Sequence, residues 1–207
     1  MKEVRGIIYD CDGVLFDSRR ANLAFYSMVL AHFGRPPITE DDVREADLCH
    51  TYASADVFRI LIGEDRVAEA MAFADTIDIR NLVNLMVPEN GIPGVLGVLA
   101  KNHSLGLATN RGRTVLSILD HFCMTRYFDK VVTSQDVERP KPSPDMLLLA
   151  VGAMGLTPAE VLFVGDSELD RQAACGGGLR FVAYKGQVRG DLVIHEHRDL
   201  LALLGLD

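Results

Sequence analysis

The chain has 207 residues, 48% of them hydrophobic and 24% charged, enough to bury a core in one domain or in a core domain carrying a smaller insertion. Its formal net charge of −8 opposes nucleic acid, whose binding rests on basic surface displacing counterions, and no apolar run reaches the length of a membrane span. Four scattered cysteines, Cys11, Cys49, Cys123 and Cys175, form no Cys-x-x-Cys pair and read as reduced packing thiols; with no secretory pattern at the N-terminus, a cytoplasmic location is expected.

The first predicted element is a strand over residues 4–10, VRGIIYD, which delivers Asp10 and Asp12 onto Gly13. Two like charges about 4 Å apart repel by roughly 4 kcal/mol at an effective dielectric near 20, so something positive is needed beside them. Cys11, between them, is expected to point into the sheet by strand alternation.

From residue 17 to residue 90 the patterns are helical. Leu23, Tyr26, Leu30 and Phe33 share one spacing, Val57, Ile60 and Leu61 another, and a long helical stretch is expected from Arg66 to Met86. Glycines and prolines punctuate "GRPP" at 34–37 and "PENGIPG" at 88–94. The segment therefore reads as a helical insertion, 17–90, hinged on a core made of 1–16 and 91–207.

Strand-length apolar runs follow at 104–109 (SLGLAT), 130–134 (KVVTS), 161–166 (VLFVGD) and 179–184 (LRFVAY), with a weaker one at 191–194 (DLVI). Between them lies helical periodicity. A helix from Pro144 to about Met154 should stop at Gly155, and Thr157, Pro158 and Glu160 form a capping box opening one short turn. "CGGGLRF" at 175–181 sits between a helix and a strand, the reverse of the order a phosphate-binding glycine loop needs, and "HEH" at 195–197 is assigned to structure. Strands alternating with helices imply an α/β fold, a Rossmann-like doubly wound parallel sheet with chemistry at the carboxyl ends of its strands.

Four strand ends carry polar groups: Asp10 and Asp12; Thr109 and Asn110; Lys141 in the loop "RPKPSPD"; and Asp166 and Asp170 in "VGDSELD". These four motifs, in this order, resemble those of the haloacid dehalogenase superfamily, in the phosphoglycolate phosphatase-like and beta-phosphoglucomutase-like branch with an α-helical cap inserted after the first strand. The likeness covers essentially the whole chain.

The resemblance implies a magnesium-dependent phosphatase that hydrolyses a small phosphomonoester. Asp10 would be the nucleophile that becomes an aspartyl-phosphate, and Asp12 the acid and base toward the leaving oxygen and the attacking water. Thr109, through its hydroxyl, and the backbone N–H of Asn110 would hold one phosphoryl oxygen, and Lys141 a second while neutralising Asp10. Mg2+ would be bound by Asp10, the backbone carbonyl of Asp12 and Asp166, while Asp170 orients a metal-bound water or Lys141 from outside. A small phosphorylated metabolite is the expected partner, with no nucleic acid and no membrane, for a monomer or homodimer. Specificity should come from the cap, where Arg19, Arg20, Asn22, His50 and Thr51 lie nearest the motifs; none is assigned a catalytic role.

Alternatives within the resemblance are a phosphosugar mutase, whose relatives usually carry a histidine where this chain has Asn22, and a non-catalytic binding protein of the same fold. Dehalogenase relatives lack an acid at the Asp12 position. A signalling receiver domain would be much shorter and lack the helical insertion.

Overall fold

The computed structural model describes residues 3–206. Met1, Lys2 and Asp207, at the edges of the expected core segments, lie outside the described residues. In chain order the strands are β1 (Gly6–Tyr9), β2 (Phe16–Asp17), β3 (Val87–Pro88), β4 (Ser104–Thr109), β5 (Lys130–Thr133), β6 (Val161–Gly165), β7 (Arg180–Tyr184) and β8 (Leu192–Ile194). The α-helices are α1 (Arg19–His32), α2 (Val43–Thr51), α3 (Ser54–Leu61), α4 (Val67–Ala74), α5 (Ile92–Leu99), α6 (Thr114–His121), α7 (Asp145–Ala153), α8 (Glu168–Gly177) and α9 (His197–Leu204).

All six strands expected from apolar runs form, and they pair in parallel in the order β5-β4-β1-β6-β7-β8. The chain moves outward from β1 through β4 to β5, then returns to β6 on the opposite side of β1. Strand order thus reverses beside β1, where an open α/β sheet leaves a crevice at its carboxyl edge.

Alternation decides which face each side chain serves. Ile7 and Tyr9 of β1 join Leu105, Leu107, Leu162 and Val164 in a core covered by α5, α6 and α9. Ile8 joins Ala108, Val132 and Phe163 in a second core under α7 and α8. Asp10 continues the Ile8 register, so it emerges toward α7 and α8, whereas Cys11 is buried in the first core as the alternation predicts.

Between β2 and β3, helices α1 to α4 surround a third cluster that includes Tyr26, Val29, Leu30, Val57 and Phe58. Phe25 and Ile77 pack against both this cluster and the first core. The entry and exit of the helical segment are tied together by the antiparallel pair β2–β3, Phe16 opposite Pro88 and Asp17 opposite Val87. Two-residue strands carry too little periodicity to be visible in a sequence.

Two helical expectations are corrected. The stretch from Arg66 to Met86 is not one helix: α4 stops at Ala74, and short 3-10 turns follow at Ile79–Asn81 and Val83–Leu85. Thr76 Oγ1 donates to the Phe73 carbonyl, and the Asp78 side chain accepts from the Arg80 N–H, competing with helix continuation. In α3, Ile60 is exposed and Phe58 is buried beside Val57 instead. Elsewhere the punctuation holds. Gly155 takes the left-handed conformation just after α7, and the Glu160 carboxylate accepts from the Thr157 N–H at 2.9 Å and from its hydroxyl at 2.6 Å. His197 is a core residue, with Nε2 donating to the Val14 carbonyl at 2.8 Å and its ring stacked on Tyr184.

Candidate active site

Asp10 ends the central strand, and its backbone N–H bonds to the Val164 carbonyl, which seats it between the β1 and β6 ends. The Lys141 ammonium lies 2.7 Å from Asp10 Oδ1 and 2.6 Å from Asp170 Oδ1, and all three residues are buried. Two carboxylates around one ammonium hold it charged: burial lowers the affinity of Lys141 for its proton, but Asp10 and Asp170 outweigh this and raise its pKa.

The loop that carries Lys141 is held by the side chain of Asn110. Its Oδ1 accepts from the Lys141 N–H at 3.0 Å, and its Nδ2 donates to the Lys141 carbonyl at 3.0 Å and to the Thr51 carbonyl at 2.9 Å. Asn110 therefore ties β4 both to the lysine loop and to the helical segment, a role its sequence position did not reveal. Thr109, 1% exposed, keeps its hydroxyl at the mouth of the strand, where it accepts from the Arg111 N–H.

Asp170 serves two structures with its two oxygens. Oδ2 accepts from the Ser167 N–H and hydroxyl in a capping box that opens α8, while Oδ1 meets Lys141. Gly165 makes this approach possible, because a Cβ there would come within 2.6 Å of the Asp170 Cβ.

One carboxylate oxygen each of Asp10, Asp166 and Asp170 lie within 4.8 Å of one another. Burial pushes the Asp10 carboxyl well above its usual range against the pull of Lys141, and burial together with Asp170 pushes Asp166 up to about 7. Three crowded oxygens facing a single ammonium fit a hard divalent cation, which would reverse both shifts. Gly13, at φ +78°, keeps room for Asp166: a Cβ there would stand 2.1 Å from Asp166 Oδ2.

The Asp12 carboxylate stands outside that cluster among the described residues and has other partners. Arg111 Nε donates to Oδ2 at 3.1 Å and Arg111 Nη2 to Oδ1 at 2.5 Å; Asn22 Nδ2 and the Ser18 hydroxyl also donate to Oδ1. Burial alone would raise the Asp12 pKa, but the Arg111 guanidinium overrides it and holds the carboxyl at about 2. Ser18 precedes α1, where a serine hydroxyl commonly caps the helix, yet it donates to Asp12 instead.

Among the residues named from the helical segment, Asn22 and His50 reach the site, with Asn22 Nδ2 3.3 Å from His50 Nδ1. His50 Nε2 also lies near Gly13, 3.2 Å from where a Cβ would stand. Thr51 contributes its carbonyl, Arg19 pairs with Asp47, and Arg20 is exposed. Arg111 and Ser18 escaped the sequence reading. The signal available for Arg111 was its place two residues beyond Thr109, on the same loop.

These groups open on a cavity of about 1000 Å³ between the sheet edge and the helical segment, with Asp10, Asp12, Asn22, His50, Thr109 and Arg111 on its wall. Among the described residues, no helix is long and apolar enough to cross a membrane.

Residues 7–184 match the family model for haloacid dehalogenase-like hydrolases. A phosphoglycolate phosphatase of Salmonella typhi is 32% identical over 238 residues, an alignment taking in 100% of this chain and 94% of that protein. The crystal structure of a HAD-superfamily hydrolase, subfamily IA, variant 1, from Geobacter sulfurreducens PCA superposes with a TM-score of 0.84 at 39% identity, over 97% of this chain and 100% of that one. CbbY from Rhodobacter sphaeroides, solved in complex with phosphate, shares the fold at 20% identity, with a TM-score of 0.81 over 98% of this chain and 100% of its own. Matched through its sheet and across the strand ends that gather Asp10, Thr109, Lys141 and Asp166, the chain belongs to the haloacid dehalogenase-like hydrolase family.

Proposed function

We propose that this protein is a magnesium-dependent phosphatase that hydrolyses a small phosphomonoester through an aspartyl-phosphate on Asp10, with residues 17–90 serving as a cap over the site. The observation that carries the reading is the ion pair of 2.7 Å between Lys141 and Asp10 at the end of the central strand, with Asp166 and Asp170 beside it. A relative named as a phosphoglycolate phosphatase, 32% identical over the whole chain, supports the same reaction class.

Asp10 attacks the phosphorus atom and the bond to the leaving oxygen breaks; Asp12, held ionised by Arg111 beforehand, takes a proton from the entering phosphomonoester and passes it to that oxygen. Water then attacks the aspartyl-phosphate, Asp12 takes the proton from the water, and inorganic phosphate leaves. Lys141 neutralises Asp10 and faces the phosphoryl oxygens, and the Thr109 hydroxyl and the Asn110 N–H hold another oxygen as charge spreads over the three of them. Asp170 orients Lys141, and the Asn110 side chain fixes the lysine loop.

Mg2+ would be held by Asp10, Asp166 and the Asp12 backbone carbonyl, and when bound it supplies positive charge to the phosphoryl oxygens. The substrate is a phosphorylated metabolite that reaches Asp10 through the cavity under the helical segment.

The deciding variant is Asp10→Asn, which removes the nucleophile and keeps the shape. Turnover of an aryl phosphate should vanish while the circular dichroism spectrum stays as in the wild type. Retained turnover would rule out the covalent route.

A further inference from the structure

Arg111 is a largely enclosed cation to which the proposed reaction gives no task. Its side chain is 8% exposed and sits on the wall of the cavity, facing Asp12, whose side chain is 9% exposed. The guanidinium grips Asp12 with two prongs, Nε to Oδ2 and Nη2 to Oδ1, and Nη2 also donates to Asn22 Oδ1. Both Asp12 oxygens are therefore engaged, although the reaction needs one of them at the leaving oxygen.

Two features make this grip exchangeable. Asp12 keeps two other donors, the Ser18 hydroxyl and Asn22 Nδ2, so it is not left bare when Arg111 departs. A phosphoryl dianion offers the planar guanidinium fork more charge and more oxygens than a carboxylate already served by other donors. Arg111 also stands two residues beyond Thr109, with its N–H on the Thr109 hydroxyl, so it shares a loop with the expected phosphoryl-binding groups.

We propose that Arg111 is an exchangeable anion-binding residue, paired with Asp12 while the site is empty and passed to an oxygen of the phosphoryl group when a phosphomonoester enters. The exchange frees Asp12 for the leaving oxygen only once substrate is in place. It follows that Asp12 and the phosphoryl group compete for one guanidinium. The inference rests on the phosphatase reading for its ligand.

The test is a double-substitution cycle on orthophosphate binding, measured by titration calorimetry with Mg2+ present on the full chain. The four proteins are the wild type, Asp12→Asn, Arg111→Met and the pair together. Arg111→Met should weaken orthophosphate binding at least tenfold. Asp12→Asn should tighten it, and the gain should be at least threefold larger when Arg111 is present than in the Arg111→Met background. Equal gains in the two backgrounds would mean that Asp12 acts only as a nearby negative charge, and an unchanged affinity in Arg111→Met would mean that Arg111 does not reach the phosphoryl group; either result overturns the exchange. Arg111→Lys, which keeps the charge and loses the fork, replaces Arg111→Met if that variant fails to fold or binds too weakly to titrate. No turnover enters this measurement. An enzyme active on phosphomonoesters with equal gains sinks the exchange alone, whereas a chain that binds orthophosphate with the unequal gains but hydrolyses nothing sinks the phosphatase reading alone.

Discussion

Gly13 and Asp166 come from strand ends far apart in the chain, yet a single methyl group on Gly13 would sit 2.1 Å from the Asp166 carboxylate. Gly13 also holds φ +78°, a conformation that costs other residues roughly 1–2 kcal/mol. Gly13→Ala should therefore lower stability by about that amount and displace Asp166. Divalent-cation affinity, followed by calorimetric titration, should fall at least tenfold. Wild-type affinity in this variant would show that Asp166 Oδ2 does not face the cation.

Lys141 stands between two carboxylates, and removing it leaves Asp10 and Asp170 buried without their shared cation. Loss of one partner from a buried pair costs about 3–5 kcal/mol. Lys141→Met should lower the urea midpoint accordingly in metal-free protein, and added Mg2+ should recover part of the loss. A midpoint equal to that of the wild type would contradict the pairing.

If Asp12 protonates the leaving oxygen, its removal should matter most where the leaving group is poor. Asp12→Ala should slow hydrolysis of an alkyl phosphate by about 10²–10⁴-fold, the usual range for a general acid, and of a nitrophenyl phosphate far less. Steady-state rates on the two esters check this. The same fractional loss on both would remove the acid role.

Burial holds the His197 imidazole down to about 4, against an ordinary value of 6.5, with the Val14 carbonyl opposing the shift. The folded state keeps this ring neutral while the unfolded chain protonates it below pH 6.5, so stability falls as pH drops from about 6.5 to about 4 and then levels. The full effect is about 3 kcal/mol at 1.36 kcal/mol per pH unit. His197→Phe keeps a ring against Tyr184 and loses the bond to Val14, about 1 kcal/mol at pH 7. Its urea midpoint should decline less than that of the wild type over this range. Parallel declines would place the acid sensitivity elsewhere.

The strands were legible because each is a short apolar run bounded by turn residues, and a strand buried on both faces needs little else. The same local logic exposed Thr157 and Glu160 as a cap and Gly155 as a helix stop. It failed from Arg66 to Met86, where helical propensity continues but Thr76 and Asp78 divert the backbone hydrogen bonds. It said nothing of Ser18, whose hydroxyl meets Asp12 six positions earlier.

Asp10, Asp12, Thr109, Asn110, Lys141, Asp166 and Asp170 stood out as candidates because each ends a strand or follows one, and parallel strands bring such ends to one edge. That much is decided along the chain, by alternation and by where strands stop. Which donor meets which carboxylate is decided elsewhere. Arg111 lies 99 positions from Asp12, and His50 lies 28 positions from Asn22. Their meeting depends on how the helical segment seats against the sheet edge and on the two-residue ribbon that closes its base. Local propensity carries no record of such contacts, because they are set by the packing of surfaces that no short window of sequence contains.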